Sequence, residues 1–184
     1  IWAKLTSGND QIFLTTHGGK CIRFNETDSR PMGRHTRGVR GINLKENDYL
    51  VGIGIVPQSI SAIKEEKTNK NFFRHLLVIT ENGIGKRSDV YLYPLQKRGG
   101  VGVKVANLSE KSGNLAATAV VTENDDQVLF VSRKAVTIKL PLKNIPKLSR
   151  NTKGVILMRL NADDRVCSMT VLPKKEIDAT RTEK

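Results

Sequence analysis

A basic turn ending in glycine occurs three times along this chain, and that recurrence restricts the available folds more than any other feature. Its middle copy is Gln96-Lys97-Arg98-Gly99-Gly100-Val101-Gly102; the same turn stands 64 residues earlier as Gly33-Arg34-His35-Thr36-Arg37-Gly38 and 52 residues later as Ser149-Arg150-Asn151-Thr152-Lys153-Gly154. All three read Arg-x-x-x-Gly followed by Val. The register that aligns them also aligns their surroundings. Ile12–Thr16 falls on Leu76–Thr80 and Val128–Ser132, β-rich runs of strand length. Each is followed by a Thr/Ser-x-x-Gly/Ala turn ending at Gly19, Gly83 or Ala135, and then by a basic residue, Arg23, Arg87 or Lys139. After the Arg-x-x-x-Gly turn, residues 39–44, 103–108 and 155–160 alternate apolar and polar in the manner of half-buried strands. The runs 53–56, 117–120 and 169–172 close the unit, each preceded by a polar turn.

A period of about 50 residues with about four short strands is the signature of a propeller blade. Helical repeats would need apolar residues at i, i+3, i+4 and i+7, and these runs are too short and too β-branched. A β-sandwich has no reason to keep one side-chain chemistry at so long a period. The expected fold is all-β, a β-propeller or β-pinwheel, with blades of about four strands at about 12–56, 76–120 and 128–172. Residues 1–5 are read as the end of a preceding blade. Residues 57–75 are read as an exposed insertion with a short helical turn at Ala62–Lys67, because a loop insertion leaves packed repeats undisturbed. Residues 173–184 are read as a flexible tail. Three blades are too few to close a ring of four to eight, so a longer chain or a pairing surface is expected.

Charge narrows the function. The net charge is +13 and the pI about 10.0, a balance suited to a polyanion and shared by nucleic-acid and membrane-surface proteins. Cys21 and Cys167 are far apart, without C-x-x-C spacing or clustered histidines, which favours free thiols in a reducing compartment over a disulfide or a metal site. No apolar run approaches the roughly 18 residues of a membrane span, and residues 1–11 lack a signal-peptide pattern. The chain is therefore expected to be cytoplasmic, with no membrane and no small-molecule substrate. A phosphate loop of the G-x-x-x-x-G-K-[ST] type and a G-x-S-x-G elbow are both missing from the sequence, and His17, His35 and His75 lack metal spacing, so no catalytic or metal site is expected. Asp125-Asp126 and Asp163-Asp164 read as hairpin-turn residues bonding locally to backbone. The aromatic residues, 5% of the chain, do not interleave with the basic ones as a single-strand stacking platform requires, so duplex DNA is preferred. Trp2, Phe13, Phe24 and Phe130 are expected in the core or between blades.

Three segments carry a family resemblance: Thr80–Arg87, Tyr93–Gly102, and Arg30-Pro31-Met32-Gly33-Arg34 with Thr36–Ile42. Together they resemble the C-terminal domain of DNA gyrase A, and the likeness runs from residue 1 to about 172. The resemblance implies about three blades of a six-bladed disc, a β-pinwheel with strands exchanged between neighbours and a basic rim that wraps DNA. That family's hallmark is a Q-R-R-G-G-K-G box. Gln96–Gly102 matches its Gln, its second Arg and three glycines, and departs at Lys97 and at Val101, where the box has lysine. The implied role is non-catalytic: wrapping DNA in support of ATP-dependent negative supercoiling in the bacterial cytoplasm, at the nucleoid. ATP and Mg would belong to other domains, and the partners would be duplex DNA, the N-terminal region of gyrase A, and gyrase B. The alternatives are the corresponding domain of topoisomerase IV, for which Val101 speaks, and a propeller scaffold for an acidic protein.

The residues expected to meet DNA are the periodic cations and their neighbours: Arg23, Arg34, Arg37, Arg40, Lys86, Arg87, Lys97, Arg98, Lys104, Lys139, Arg150 and Lys153. Phosphates recur along a duplex whatever its sequence, each contact releases counterions, and arginine adds bidentate recognition. Gly38, Gly102 and Gly154 are first of all turn glycines, expected at positive φ.

Overall fold

The computed structural model describes residues 2–58 and 73–174. The helical turn expected at Ala62–Lys67 and the tail from residue 175 onward lie outside the described residues. Eleven strands are described: β1 Gln11–Thr16, β2 Lys20–Asn25, β3 Leu50–Val56, β4 Arg74–Thr80, β5 Ile84–Asp89, β6 Val103–Lys104, β7 Leu115–Thr122, β8 Asp125–Ser132, β9 Thr137–Pro141, β10 Val155–Ile156 and β11 Val166–Pro173. They form three antiparallel sheets, in the orders β3-β1-β2-β6, β10-β5-β4-β7 and β11-β8-β9.

The all-β reading of the sequence is what the structure shows, and each leading run forms the middle of a sheet. β4 is buried along its whole length because it has a neighbour on both faces. Its alternation sends Leu76 and Val78 into a cluster with Phe13, Val56 and Tyr93 of the first interface. Leu77 and Ile79 point the other way, to Val128, Phe130 and Ile145. The core therefore lies between the sheets rather than inside any one, and each fully buried large side chain contributes about 1.5–3 kcal/mol. The tight turns after β1, β4 and β8 place Gly19, Gly83 and Ala135 at φ +79°, +78° and +62°. Short 3-10 turns at Glu26–Asp28, Val90–Leu92 and Leu142–Asn144 follow β2, β5 and β9. In the second and third repeats these turns bring Val90 with Tyr93, and Leu142 with Ile145, into the two interfaces.

The fourth strand of a sheet is borrowed. β6 belongs in sequence to the second repeat yet pairs with β2 of the first, and β10 of the third pairs with β5 of the second. This corrects the expectation that 39–44, 103–108 and 155–160 are strands throughout. Only two residues of each of the second and third runs form a strand, paired with the sheet of the repeat before, and Val39-Arg40 forms none. At the other end β9 keeps an open edge among the described residues, with Lys139 exposed on it; edge lysine is a common guard against unwanted strand pairing.

One aromatic expectation changes. Trp2 is 49% exposed and lines an open groove with Ile53, Val120 and Met169, whereas Phe13, Phe24 and Phe130 are buried as expected. Tyr93 is not in a strand. It caps a 3-10 turn, fully buried, edge-on to Phe13 with ring centroids 5.7 Å apart.

Candidate nucleic-acid interface

The three Arg-x-x-x-Gly turns form a row because the second and the third are each bonded to the chain just beyond the turn before. In the middle turn Gly99 N donates to Gly41 O at 2.8 Å, and Asn43 N donates to Gly100 O at 2.9 Å. Asn107 N makes the matching bond to Thr152 O at 3.2 Å in the third turn. The turn arginines repeat one contact in register: Arg98 Nη1 donates to Arg40 O, and Arg150 Nη1 donates to Lys104 O at 3.2 Å. Arg98 Nε also donates to Asp28 O at 3.1 Å. Arg98 and Arg150 are thus half-buried ties from one turn to the segment that follows the turn before it.

Glycine closes the second and third turns for two reasons. Gly102 and Gly154 have φ +71° and +97°, and a Cβ would stand 2.4 Å from Cys21 O at Gly102 and 2.7 Å from Gly85 O at Gly154. The borrowed strand begins there, against the backbone of the sheet it joins. Gly38 has the same kind of φ, +77°, with nothing within 4 Å.

Along the row Arg34, Arg37, Arg40, Lys97, Lys104 and Lys153 are exposed. Val101, at the position of the box lysine, is exposed as well, while Gln96 is half-buried and its N–H bonds to Arg23 O at 2.8 Å. With valine rather than a cation at 101, the middle turn presents the exposed Lys97 and the half-buried Arg98.

Two residues expected on this surface are inside the protein. Arg23 is buried, with Nε donating to Gln11 Oε1 at 2.7 Å and Nη1 to Val90 O and Tyr93 O at 3.3 and 3.0 Å. Lys86 is fully buried, with Nζ bonded to Ser149 O, Arg150 O and Thr152 O at 2.7, 2.9 and 2.9 Å. A buried cation must be compensated, and carbonyl oxygens of the next repeat compensate both. Arg87 is half-buried, donates to Ile145 O at 2.8 Å and lies 5.5 Å from the Phe73 ring centroid. Arg23 and Arg87 therefore tie one repeat to the next. Their counterpart Lys139 is exposed, since the described residues include no sheet beyond β9. One sequence signal does separate Lys86 from the others: its counterparts are Ile22 and Ile138, an inward position in both neighbouring repeats.

The aspartates of the hairpin turns bond to backbone. Asp48 Oδ1 accepts from Gly18 N at 2.8 Å; Asp164 accepts from Ser132 Oγ at 2.6 Å and Lys134 N at 3.1 Å, and the Ser132 bond holds its carboxyl below the usual range. Asp125 accepts from Thr122 N at 2.7 Å. His17 stacks on Tyr49 and bonds to Leu115 O through Nδ1, and His75 is buried in β4. Among the described residues no three His, Cys, Asp or Glu side chains gather as a metal site would need, and no helix is long and apolar enough to cross a membrane.

Comparison with known proteins gives the same architecture. The family model described as DNA gyrase C-terminal domain, beta-propeller, matches residues 10–57, 74–122 and 126–173, one segment for each sheet. The DNA gyrase A protein of Aminobacterium colombiense is 37% identical over 172 residues, 94% of this chain and 19% of that protein. The DNA gyrase A protein of Staphylococcus aureus is 36% identical over 180 residues, 98% of this chain and again 19% of that protein. The chain thus spans about a fifth of the length of the curated relatives it matches. Among solved structures, a DNA gyrase A C-terminal domain superposes with TM-score 0.75 at 24% identity, covering 91% of this chain and 52% of that one. The C-terminal domain of a DNA topoisomerase IV superposes with TM-score 0.77 at 23% identity, covering 92% and 49%. With its family match repeated over three blades and its borrowed strands in register, the chain belongs to the DNA gyrase C-terminal domain, beta-propeller, family.

Proposed function

We propose that this chain binds duplex DNA along the row of Arg-x-x-x-Gly turns and bends it there, as the DNA-wrapping part of a DNA gyrase A protein. The observation that carries this reading is the bond repeated from each turn arginine to the segment just after the preceding turn, Arg98 to Arg40 O and Arg150 to Lys104 O. It sets the basic turns side by side, with Arg34, Arg37, Arg40, Lys97, Lys104 and Lys153 exposed along them. A duplex following the row meets cations at each turn without any need to read bases, as DNA does on a histone surface. Bending a site of 20–30 bp costs about 1–6 kcal/mol, so contacts at several turns must act together. In the whole enzyme the wrapped segment would be presented for strand passage, with the N-terminal region of gyrase A and with gyrase B as partners. Cleavage, ATP and Mg would belong to those regions, and the setting would be the bacterial cytoplasm at the nucleoid.

The test is a titration of the chain with labelled duplex DNA across a salt series. Six to eight phosphate contacts predict a slope of log affinity against log salt of about −5 to −7. Reversing Arg34, Arg37, Lys97 and Lys153 to glutamate should weaken binding and flatten the slope; unchanged binding in that variant would refute the reading. A second reading, as the equivalent domain of topoisomerase IV, has Val101 in its favour. The sequence relatives named above, both gyrase A proteins, favour gyrase.

A further inference from the structure

Lys86 occupies a position that its own repeat family makes apolar. It lies opposite Val78 in the β4–β5 pair, as Ile22 lies opposite Leu14 and Ile138 opposite Phe130. Its ammonium is fully buried beneath the third basic turn, bonded to Ser149 O, Arg150 O and Thr152 O and 3.2 Å from Thr152 Oγ1. The Thr152 hydroxyl in turn donates to Ser149 O at 2.8 Å. Three N–H donors thus meet the three carbonyls of one turn, a number the ammonium group matches. Burial pushes the lysine pKa down to about 8, and the surrounding oxygens favour the charged form that burial opposes.

The residue below and the residue above change together. Over Ile22 the middle turn has Gly100, whose added Cβ would lie 3.5 Å from Ile22 Cδ1. Over Lys86 the third turn has Thr152, at the place of Gly100. The middle turn is packed on an aliphatic side chain, and the third is gathered around a cation. Arg150 and Lys153, the cations that turn presents, stand on the same few residues whose carbonyls Lys86 binds.

We propose that Lys86 is a positioning residue for DNA binding: without touching DNA, it sets the shape of the Ser149–Gly154 turn and hence where Arg150 and Lys153 meet phosphate. This rests on the reading of the basic row as a DNA-binding surface. A lysine that would count as one more surface charge is instead an internal brace, and the charge it contributes to the row is indirect.

The experiment uses Lys86→Ile, which installs the residue of the other two repeats, and Lys86→Met, which keeps the unbranched stem should isoleucine fit poorly. Amide hydrogen exchange and duplex-DNA affinity across salt are measured on the same samples. Exchange should rise at Asn151, Thr152 and Lys153 while the amides of Gly99–Gly102 keep their wild-type rates. The salt slope should lose about 1–2 of its magnitude, corresponding to the contacts of one turn. Adding Arg150→Ala and Lys153→Ala to Lys86→Ile should then cost little further affinity, because the turn's contribution is already gone. Unchanged exchange at 151–153, or an unchanged salt slope despite raised exchange, overturns the proposal. If the wild-type chain itself binds duplex DNA without salt dependence, the DNA-binding reading fails before any variant is compared, and the two failures are told apart.

Discussion

Alanine at Gly102 should destabilise the protein far more than alanine at Gly38, although the two glycines hold the same place in their repeats. Both have φ in the left-handed region, +71° and +77°, so each substitution carries about 1–2 kcal/mol of backbone strain. The rest of the cost depends on the neighbour. At Gly38 the new methyl meets open space, whereas at Gly102 it would stand 2.4 Å from Cys21 O and 2.7 Å from Cys21 C. These are backbone atoms of β2 and cannot rotate aside. Relief requires β6 to lift from β2, at the expense of the pairs Lys20↔Lys104 and Cys21↔Val103. Two ladder hydrogen bonds at about 1 kcal/mol each bring the total for Gly102→Ala to about 3–4 kcal/mol. Gly154→Ala, with its contact at 2.7 Å from Gly85 O, should fall nearer to Gly102 than to Gly38. Urea unfolding of the wild type and the three variants, followed by far-UV circular dichroism, measures the differences. Equal losses at Gly38 and Gly102, within about 0.5 kcal/mol, would refute the argument that close strand approach sets the cost.

Burial, together with Arg87 and Lys147 and against Asp89, pushes the His75 pKa from 6.5 down to about 4. The unfolded chain takes up that proton more readily, so stability should be complete above pH 6.5 and fall between about 6.5 and 4, by on the order of 3 kcal/mol; His75→Asn should remove this part of the pH profile. Burial also pushes the Cys21 thiol up to about 12, whereas Cys167 is exposed. A thiol reagent should therefore titrate one cysteine in the folded protein and two in denaturant, and rapid labelling of both in the folded state would contradict the burial of Cys21. Ala135 sits at φ +62° where the other repeats have Gly19 and Gly83. Ala135→Gly should raise stability by about 0.5–1 kcal/mol, the strain relieved less the entropy that glycine adds to the unfolded chain, and a loss of stability would count against it.

The strands β1, β4 and β8 are legible in the sequence because their apolar runs are long and recur in one register. The borrowed strands are less so. Val103-Lys104 and Val155-Ile156 look like parts of longer strands in their own repeats, since alternation reports that a residue faces a sheet without naming which sheet. The basic turns are equally legible, and their recurrence points to a surface. What charge alone does not reveal is which cations the next repeat covers. Arg23 and Lys86 carry the chemistry of surface residues, and carbonyls distant in sequence, of Val90 and Tyr93 for the one and of Ser149, Arg150 and Thr152 for the other, compensate them inside. Lys86 stands where two repeats have isoleucine, a visible signal; Arg23, whose counterparts Arg87 and Lys139 are also basic, gives none.

Strand borrowing also means that no sheet with a borrowed edge is encoded by one continuous piece of chain. The first sheet is made from residues 11–56 together with 103–104, and the second needs 155–156 from the third repeat. A single break in the backbone between Val56 and Arg74 would leave the first repeat still clasped by β6 and by the interface around Phe13 and Tyr93. The repeats are thus joined twice, once along the backbone and once by the clasp, and a nick that severs the first connection leaves the second in place.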